Sequence, residues 1–372
     1  MDLEQEYKKH LQRRQNITET DSLGTCETFC PIFEEITRRL NKDVSIFEKD
    51  IFIKKYQRSY AGKAKALPED LRPIGVLRKT LDYLFSLLTT TEDIVALYFF
   101  IADRTRAIRV DISTQGLECD ETIRIYEEIS RFHILFNFIL YDNPNFELFL
   151  NTDQLKKTII SLLDLYDKRR KKNFNCNKLT KEEQEFYSYH ILLNLEDNSV
   201  YFTLENFKEY EIIQEVLKMY IAVQQNNIYK VFRCFRNFSF FHSCVFLSSL
   251  KKIQNRSYST LFHSFAEKID IKYIQNMLMI GNNEIKNFLI RDGTIIEDNK
   301  IDFKIKERKG KEIKHEYEKY NFIEEKMPYN LMKSLKEGPI DFFVQKEVIH
   351  SLIQKIIVIV KQQNKKIENK II

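Results

Sequence analysis

Residues 73–88 read PIGVLRKTLDYLFSLL, and this stretch indicates the fold class. A proline comes first, where its missing amide hydrogen costs a helix nothing, and apolar residues then recur every three or four positions. This spacing places an apolar stripe along one side of a helix, from Val76 to Leu88. The segment therefore predicts an amphipathic helix that packs its apolar side against further helices.

The same spacing continues toward the carboxyl terminus. The periodic segments are 93–112, 121–141, 152–170, 181–195, 211–223, 228–236 and 239–252. The whole chain of 372 residues contains only eight glycines and six prolines. A sandwich, a barrel or a glycine-rich phosphate loop needs more turn residues than this. We therefore predict a mostly α-helical protein in which residues 73–256 form a stack of helices, similar in kind to a TPR-like or PCI array.

The stretch 257–306 departs from this rhythm. Helical spacing at 257–268 and 272–280 is followed by a third short helical segment and then by two strand-like runs, 294–296 and 301–306. The second run alternates between apolar and polar residues, which is typical of a strand with one buried face. Three helices followed by a β-hairpin predict a winged-helix subdomain. A helical stack capped by a winged helix is the layout of PCI-type scaffold domains.

The two ends of the chain have a different character. Residues 1–25 are expected to form a flexible lead-in, and 26–72 an extended segment that packs along the helical body. Residues 307–340 are expected to form a basic linker, and 341–372 an amphipathic helix. The amino terminus lacks the apolar core of a signal peptide, and no aliphatic run approaches the length of a membrane span. We therefore expect a soluble intracellular protein whose six cysteines stay reduced.

Four sequence blocks stand in a fixed order before residue 135. They are GTCETFCP at 24–31, LRP at 71–73 running into VLRKTLDYL at 76–84, DRTRAIR at 103–109, and RFHI at 131–134. In this order and spacing they resemble the SAC3/GANP family of nuclear mRNA-export scaffolds. The resemblance continues more weakly through 182–195 to the expected winged helix, and it is loose beyond residue 310.

The resemblance implies a non-enzymatic scaffold of the nuclear transcription-and-export complex two. Such a scaffold would pair with a second PCI-domain subunit and a small acidic DSS/Sem-type protein. It would present a basic surface to messenger RNA and associate with the nuclear pore and envelope, with no cofactor. Short family members without a Phe-Gly-repeat arm are linked to centrosome or spindle function through a centrin-type partner, which gives an alternative role. A third hypothesis is an enzyme, or a proteasome-lid or translation-initiation PCI subunit.

The predicted wing is basic. Ile301, Phe303 and Ile305 are expected to face the core, and residues 304–314 carry six basic and two acidic side chains. Such a cluster suits contacts with phosphates that need no base-specific geometry, so we expect it to bind the backbone of RNA or DNA. The alternative is a set of solvated lysines on a winged helix that contacts only other subunits. The predicted nucleic-acid-binding residues are Lys272, Lys286, Arg291, Lys304, Lys306, Arg308, Lys309 and Lys311.

Three other groups could suggest chemistry. Charged residues at 103–111 recur at helical spacing, and ion pairs between helices explain them better than a catalytic or phosphate-binding site. His133 and His190 lie in apolar runs, which favours buried, hydrogen-bonded histidines. Cys26 and Cys30 have a spacing that metal ligands can have, but no second Cys/His pair lies nearby in sequence. Because nucleotide-binding and hydrolase motifs are also missing, we predict no catalytic residue and no metal.

The last periodic segment carries apolar residues along one face of a helix. In the SAC3/GANP family, a helix after the winged helix recruits centrin and a small Sus-type helical partner, and this segment resembles it in position and amphipathicity. The alternative is a helix that packs back on the body. The predicted partner-binding residues are Ile349, Leu352, Ile353, Ile356, Ile357 and Val360.

Overall fold

In the computed structural model, the chain divides into two units. The described residues of the first unit lie within Met1–Ile129 and Leu165–Lys172, and those of the second within Ser130–Asp164 and Asn173–His350. None of the described helices is long and apolar enough to cross a membrane. The structure describes residues 3–15, 23–48, 51–57, 67–91, 93–172, 178–197, 200, 207, 209–265, 267–281, 285–286, 289, 294–297, 299–306, 321–328 and 331–338.

Long helices build most of the first unit. They are α1 (Leu3–Gln15), α2 (Ile32–Leu40), α3 (Ile74–Ser86), α4 (Ile94–Gln115), the start of α5 (Asp120–Ile139) and the end of α6 (Leu148–Lys172). Pro73 directly precedes α3, and the apolar stripe predicted there is buried at Leu77, Leu81 and Leu84. Helix α4 begins where the Asp93 carboxylate accepts a hydrogen bond from the amide of Ala96, at 3.0 Å.

The amino-terminal residues differ from the expected flexible lead-in. Residues 3–15 form α1, which packs against α2. The ring of Tyr7 stacks on the ring of Phe33 with centroids 5.5 Å apart, and the guanidinium of Arg14 lies 4.0 Å from the centroid of the same ring. Arg14 also donates to both carboxylate oxygens of Asp70. Helix α1 is therefore held against the unit through Tyr7 and Arg14.

Helices also dominate the second unit. They are the end of α5, the start of α6, α7 (Lys181–Leu193), α8 (Glu211–Gln224), α9 (Ile228–Asn237), α10 (Phe240–Ser264), α11 (Ile271–Leu278), α12 (Asn321–Glu324) and α13 (Leu331–Glu337). Helix α7 begins with a reciprocal cap, in which Thr180 and Glu183 each bind the backbone amide of the other. The expectation of separate helices at 239–252 and 257–268 is wrong, because α10 runs unbroken through a stretch without glycine or proline.

A three-stranded antiparallel sheet follows α10. The strands are β1 (Ile269–Asp270), β2 (Thr294–Glu297) and β3 (Lys300–Lys306), in the order β1, β3, β2. Ile301 pairs with both Ile269 and Ile296 and is fully buried, as its place in the alternating run predicts. Strand β1 was not predicted, because two residues are too few to show an alternation. The prediction of a mostly α-helical protein is confirmed, with this small sheet as its β component.

Candidate functional site

A buried carboxylate in the first unit joins the DRTRAIR block to the segment before it. Glu48 accepts hydrogen bonds from Arg38 Nη1 at 3.0 Å, from Arg104 Nη2 at 3.1 Å and from the amide of Ile53 at 3.0 Å. Burial alone would raise the pKa of Glu48, but the hydrogen bond from Arg38 and the charge of Arg104 outweigh burial and lower the pKa. The ionised carboxylate therefore holds two helices and an extended segment together.

A second buried carboxylate connects the LRP block to α4. Asp111 accepts from Arg72 Nε at 2.7 Å through one oxygen and from Lys54 Nζ at 2.5 Å through the other. Arg72 is fully buried, and its backbone carbonyl accepts a hydrogen bond from Gln115 Nε2 at 2.9 Å. Lys54 also donates to the carbonyl of Asp70 at 2.6 Å. The ion pairs predicted for 103–111 are thus present, and they extend to partners far away in the sequence.

The GTC block is held by backbone contacts. The amide of Gly24 donates to Gln115 Oε1 at 2.9 Å, and the amide of Cys26 donates to the carbonyl of Leu71 at 3.0 Å. A Cβ atom on residue 24 would collide with the carbonyl of Leu71 and lie 2.8 Å from Gln115 Oε1, so this close approach requires glycine. The first two blocks are therefore packed directly against each other.

The cysteine pair gives no sign of a metal centre. Cys26 and Cys30 are both buried free thiols. Burial, reinforced by the negative charge of Glu34, raises the pKa of the Cys30 thiol far above its ordinary value. Metal ligation needs the thiolate, which this environment disfavours. Within the described part of the chain, no group of three or more His, Cys, Asp or Glu residues could hold a metal ion.

In the second unit, the RFHI block also connects separate segments through a buried ion pair. Arg131 is fully buried and forms two parallel hydrogen bonds with Glu185, at 2.9 and 2.8 Å. Its Nη1 also donates to the carbonyl of Lys336, the penultimate residue of α13, at 3.2 Å. A Cβ atom on Gly338 would lie 2.9 Å from atoms of both Arg131 and Glu185. The block therefore fixes the 331–338 segment against the helices of its unit.

The prediction of a buried, hydrogen-bonded histidine is met at His133 and only in part at His190. His133 is buried, and its Nδ1 lies 2.6 Å from Asn151 Oδ1, while Asn151 Nδ2 donates to the His133 carbonyl at 2.8 Å. His190 is half-buried, and burial lowers its pKa. Its Nδ1 lies 3.3 Å from Asn194 Nδ2. Both rings are part of local hydrogen-bonded structure.

Only some of the predicted nucleic-acid-binding residues can be located. Lys272 and Lys286 are exposed, and the amide of Lys272 is capped by the Asp270 carboxylate at 2.7 Å. Lys304 and Lys306 lie in strand β3, whose pairing with β1 places it beside the start of α11. The remaining predicted residues lie outside the described residues: Arg291, Arg308, Lys309, Lys311, and on the predicted partner-binding helix Ile349, Leu352, Ile353, Ile356, Ile357 and Val360.

Helix α9 adds a basic surface that the sequence reasoning did not single out. Arg233 and Arg236 are exposed, and Lys230 is half-buried. Arg236 Nη2 donates to the backbone carbonyl of Asn276 on α11, which ties α9 to the helix that carries Lys272. The sequence indicates this basic surface only through its composition, because Ile228–Asn237 contains three basic residues and no acidic one.

Comparison with known proteins gives a consistent result. A family model described as "SAC3/GANP family" matches residues 29–298. SAC3 family protein 1 of Schizosaccharomyces pombe is 33% identical over 221 residues, which are 55% of this chain and 21% of that protein. SAC3 family protein B of Arabidopsis thaliana is 28% identical over 270 residues, 64% of this chain and 15% of that protein. Protein xmas of Drosophila melanogaster is 24% identical over 306 residues, 74% of this chain and 14% of that protein.

Proposed function

Because the chain belongs to the SAC3/GANP family, we propose that it acts as a non-enzymatic scaffold of a nuclear mRNA-export complex. The observation that carries this proposal is the structural role of the sequence blocks that resemble the family. Arg72, Arg104 and Arg131, each from a different block, are buried and engaged in internal ion pairs. The blocks thus stabilise a shaped body, which is what a scaffold requires. The chain spans between 14 and 21% of the length of its curated relatives.

We further propose that the helical residues before α10 form a PCI-type stack and that the following residues form a winged helix. The element order supports this: α10, β1, α11, the helical residues 285–286 and 289, and then the hairpin of β2 and β3. In this arrangement β3 is the central strand and its basic continuation is the wing. The wing is then placed to contact phosphates of RNA through Lys304, Lys306 and the basic residues that follow.

The proposed partners follow from the family and are stated as classes. They are a second PCI-domain subunit, a small acidic DSS/Sem-type protein, and centrin with a Sus-type helical protein on the 341–372 segment. The proposed location is the nucleus, in association with the nuclear pore and envelope. Co-expression with the second PCI subunit and the acidic protein should yield a stoichiometric complex on a sizing column. A chain that elutes alone under these conditions would contradict the scaffold proposal.

RNA binding is tested with the same complex. Labelled poly(U) RNA and a duplex DNA of equal length are titrated with the chain, alone and with its PCI partner, across a salt series. A variant with Lys304, Lys306, Arg308 and Lys309 changed to Glu should lose salt-dependent binding if the wing is the phosphate-binding surface. Binding that survives this variant would exclude the wing as the main surface. No binding of the complex to either nucleic acid would contradict the RNA-presenting role.

A further inference from the structure

Helix α9 (Ile228–Asn237) presents an aromatic and basic face to solvent. Val231, Phe232, Cys234 and Phe235 are buried on one side of the helix, and Tyr229, Arg233 and Arg236 are exposed. Tyr229 is 66% exposed, Arg233 lies four residues after it, and Arg236 lies three residues after Arg233. Side chains at this spacing are neighbours on one side of a helix. We call these three residues the α9 face.

The positive charge of the α9 face is not balanced by any acidic residue of the same helix. Ile228–Asn237 contains Lys230, Arg233 and Arg236 and no acidic residue. Among the described residues, Arg233 forms no ion pair. On the adjacent helix α8, Glu215 is engaged with Lys218 at 2.5 Å. The face is therefore electrostatically complementary to a phosphate backbone.

The α9 face continues onto α11. Arg236 Nη2 donates to the carbonyl of Asn276, so the two helices are in direct contact. Lys272 and Tyr273 precede Asn276 by four and three residues, which places them on the same side of α11 as the contact. Both are exposed, and 55% of Tyr273 is accessible to solvent. The combined surface therefore offers two tyrosine rings and basic side chains from both helices.

We propose that the α9 face binds single-stranded nucleic acid by stacking a base on Tyr229 and contacting phosphates with Arg233. An exposed ring is a platform on which any unpaired base can stack, whereas the bases of a duplex are already stacked on one another. Arginine contributes a charge that attracts phosphates and a plane that can stack on bases. This inference rests on the proposed function, to which it adds a second contact surface and a preference for single strands over duplexes.

The test uses the full chain and fluorescence anisotropy with a labelled U oligomer and a duplex of equal length. Tyr229→Ala should weaken binding of the U oligomer by about 5- to 150-fold, the range found when one stacking residue is truncated. Tyr229→Phe keeps the ring and should bind like wild type. Arg233→Glu should also weaken binding and lower the slope of log affinity against log salt by about 0.7 or more. Binding of the duplex should change little in Tyr229→Ala.

A matched control is the double variant Lys178→Glu, Lys181→Glu, which changes two exposed basic residues elsewhere in the same unit. It should reduce binding only slightly. Circular dichroism and melting curves verify that each variant is folded. Wild-type binding by both Tyr229→Ala and Arg233→Glu would overturn the proposal. If both of these variants bind like wild type and only the wing variant loses binding, the α9 proposal fails while the proposed function stands.

Two further outcomes are also decisive. If the chain and its complex with the second PCI subunit both fail to bind the U oligomer, the α9 proposal and the RNA-presenting role fail together. If Tyr229→Ala leaves RNA binding unchanged but separates the chain from that subunit on a sizing column, the α9 face is a protein interface and the proposal is wrong.

Discussion

Replacing Glu48 by Gln tests whether the buried carboxylate organises the first unit. Glu48 accepts five hydrogen bonds, two from Arg38, one from Arg104 and one each from the amides of Ser45 and Ile53. Glutamine has nearly the same shape, but it carries no charge. It also turns an NH2 group toward a guanidinium donor. The substitution therefore removes the carboxylate partner of Arg38, leaves Arg104 only its neighbour Asp103, and changes the packing very little.

The expected loss is large because neither arginine can reach water. The side chains of Arg38 and Arg104 are only 6% and 4% exposed. Removing one partner from a buried ion pair costs about 3–5 kcal/mol. For a domain of about 150–250 residues each kcal/mol lowers the melting temperature by about 2–4 °C, so the first unit should melt about 6–20 °C lower.

Melting curves of wild type and Glu48→Gln, followed by circular dichroism, measure this loss. The control is Glu35→Gln, because Glu35 forms an exposed pair with Arg39 on α2, worth about 0.3–0.5 kcal/mol. The pKa of Glu48 is lowered from 4.5, so its charge stabilises the fold above that pH, and the contribution is lost as pH falls through the folded pKa. The difference between wild type and Glu48→Gln should therefore shrink in acid. A melting temperature equal to that of the control at neutral pH would refute the reasoning.

Three further predictions concern the second unit. Gly338→Ala should lower the stability of the 331–338 segment by about 1–3 kcal/mol, because φ is +88° and the new Cβ would crowd Arg131. The segment should then be cleaved faster by protease, and an unchanged cleavage rate would contradict this. Burial lowers the pKa of His242 from 6.5 to about 3, so its neutral form stabilises the fold above pH 6.5 and this is lost in acid. Denaturant unfolding of His242→Gln should therefore depend less on pH between about 4 and 7 than that of wild type. Thr180→Ala should remove an α7 cap worth about 1 kcal/mol, and an unaltered melting curve would count against that cap.

The helices could be predicted closely because their signals are local. The segments expected at 93–112, 211–223 and 228–236 correspond to α4, α8 and α9, whose ends differ by at most three residues. Apolar periodicity and capping residues such as Asp93 both lie within or next to the helix they specify. The docked helix α1 could not be predicted in this way. Its order depends on Phe33 and Asp70, which lie far away in the sequence.

The ionic site could be predicted in kind but not in its partners. Arg and Asp at helical spacing indicated ion pairs at 103–111, and Arg104 does form one, but with its sequence neighbour Asp103 instead of a residue three or four positions away. Nothing near these residues in sequence indicates that Glu48 also reaches Arg104, since 56 positions separate them. Arg131 shows the same limit, because its contact with the carbonyl of Lys336 spans 205 positions. Such pairs are fixed by the tertiary fold.

The extended segment 51–57 explains why several carboxylates lie close together in the first unit. An extended chain makes no internal hydrogen bonds, so each of its buried amides needs an outside acceptor. A neighbouring strand normally supplies these acceptors, but here side chains supply most of them. The four successive amides of residues 53–56 donate to Glu48 at 3.0 Å, the Phe29 carbonyl at 3.0 Å, Glu34 at 2.6 Å and Asp103 at 3.2 Å. Sliding the segment by one residue would turn carbonyl oxygens toward these carboxylates, so charge as well as apolar packing fixes its register.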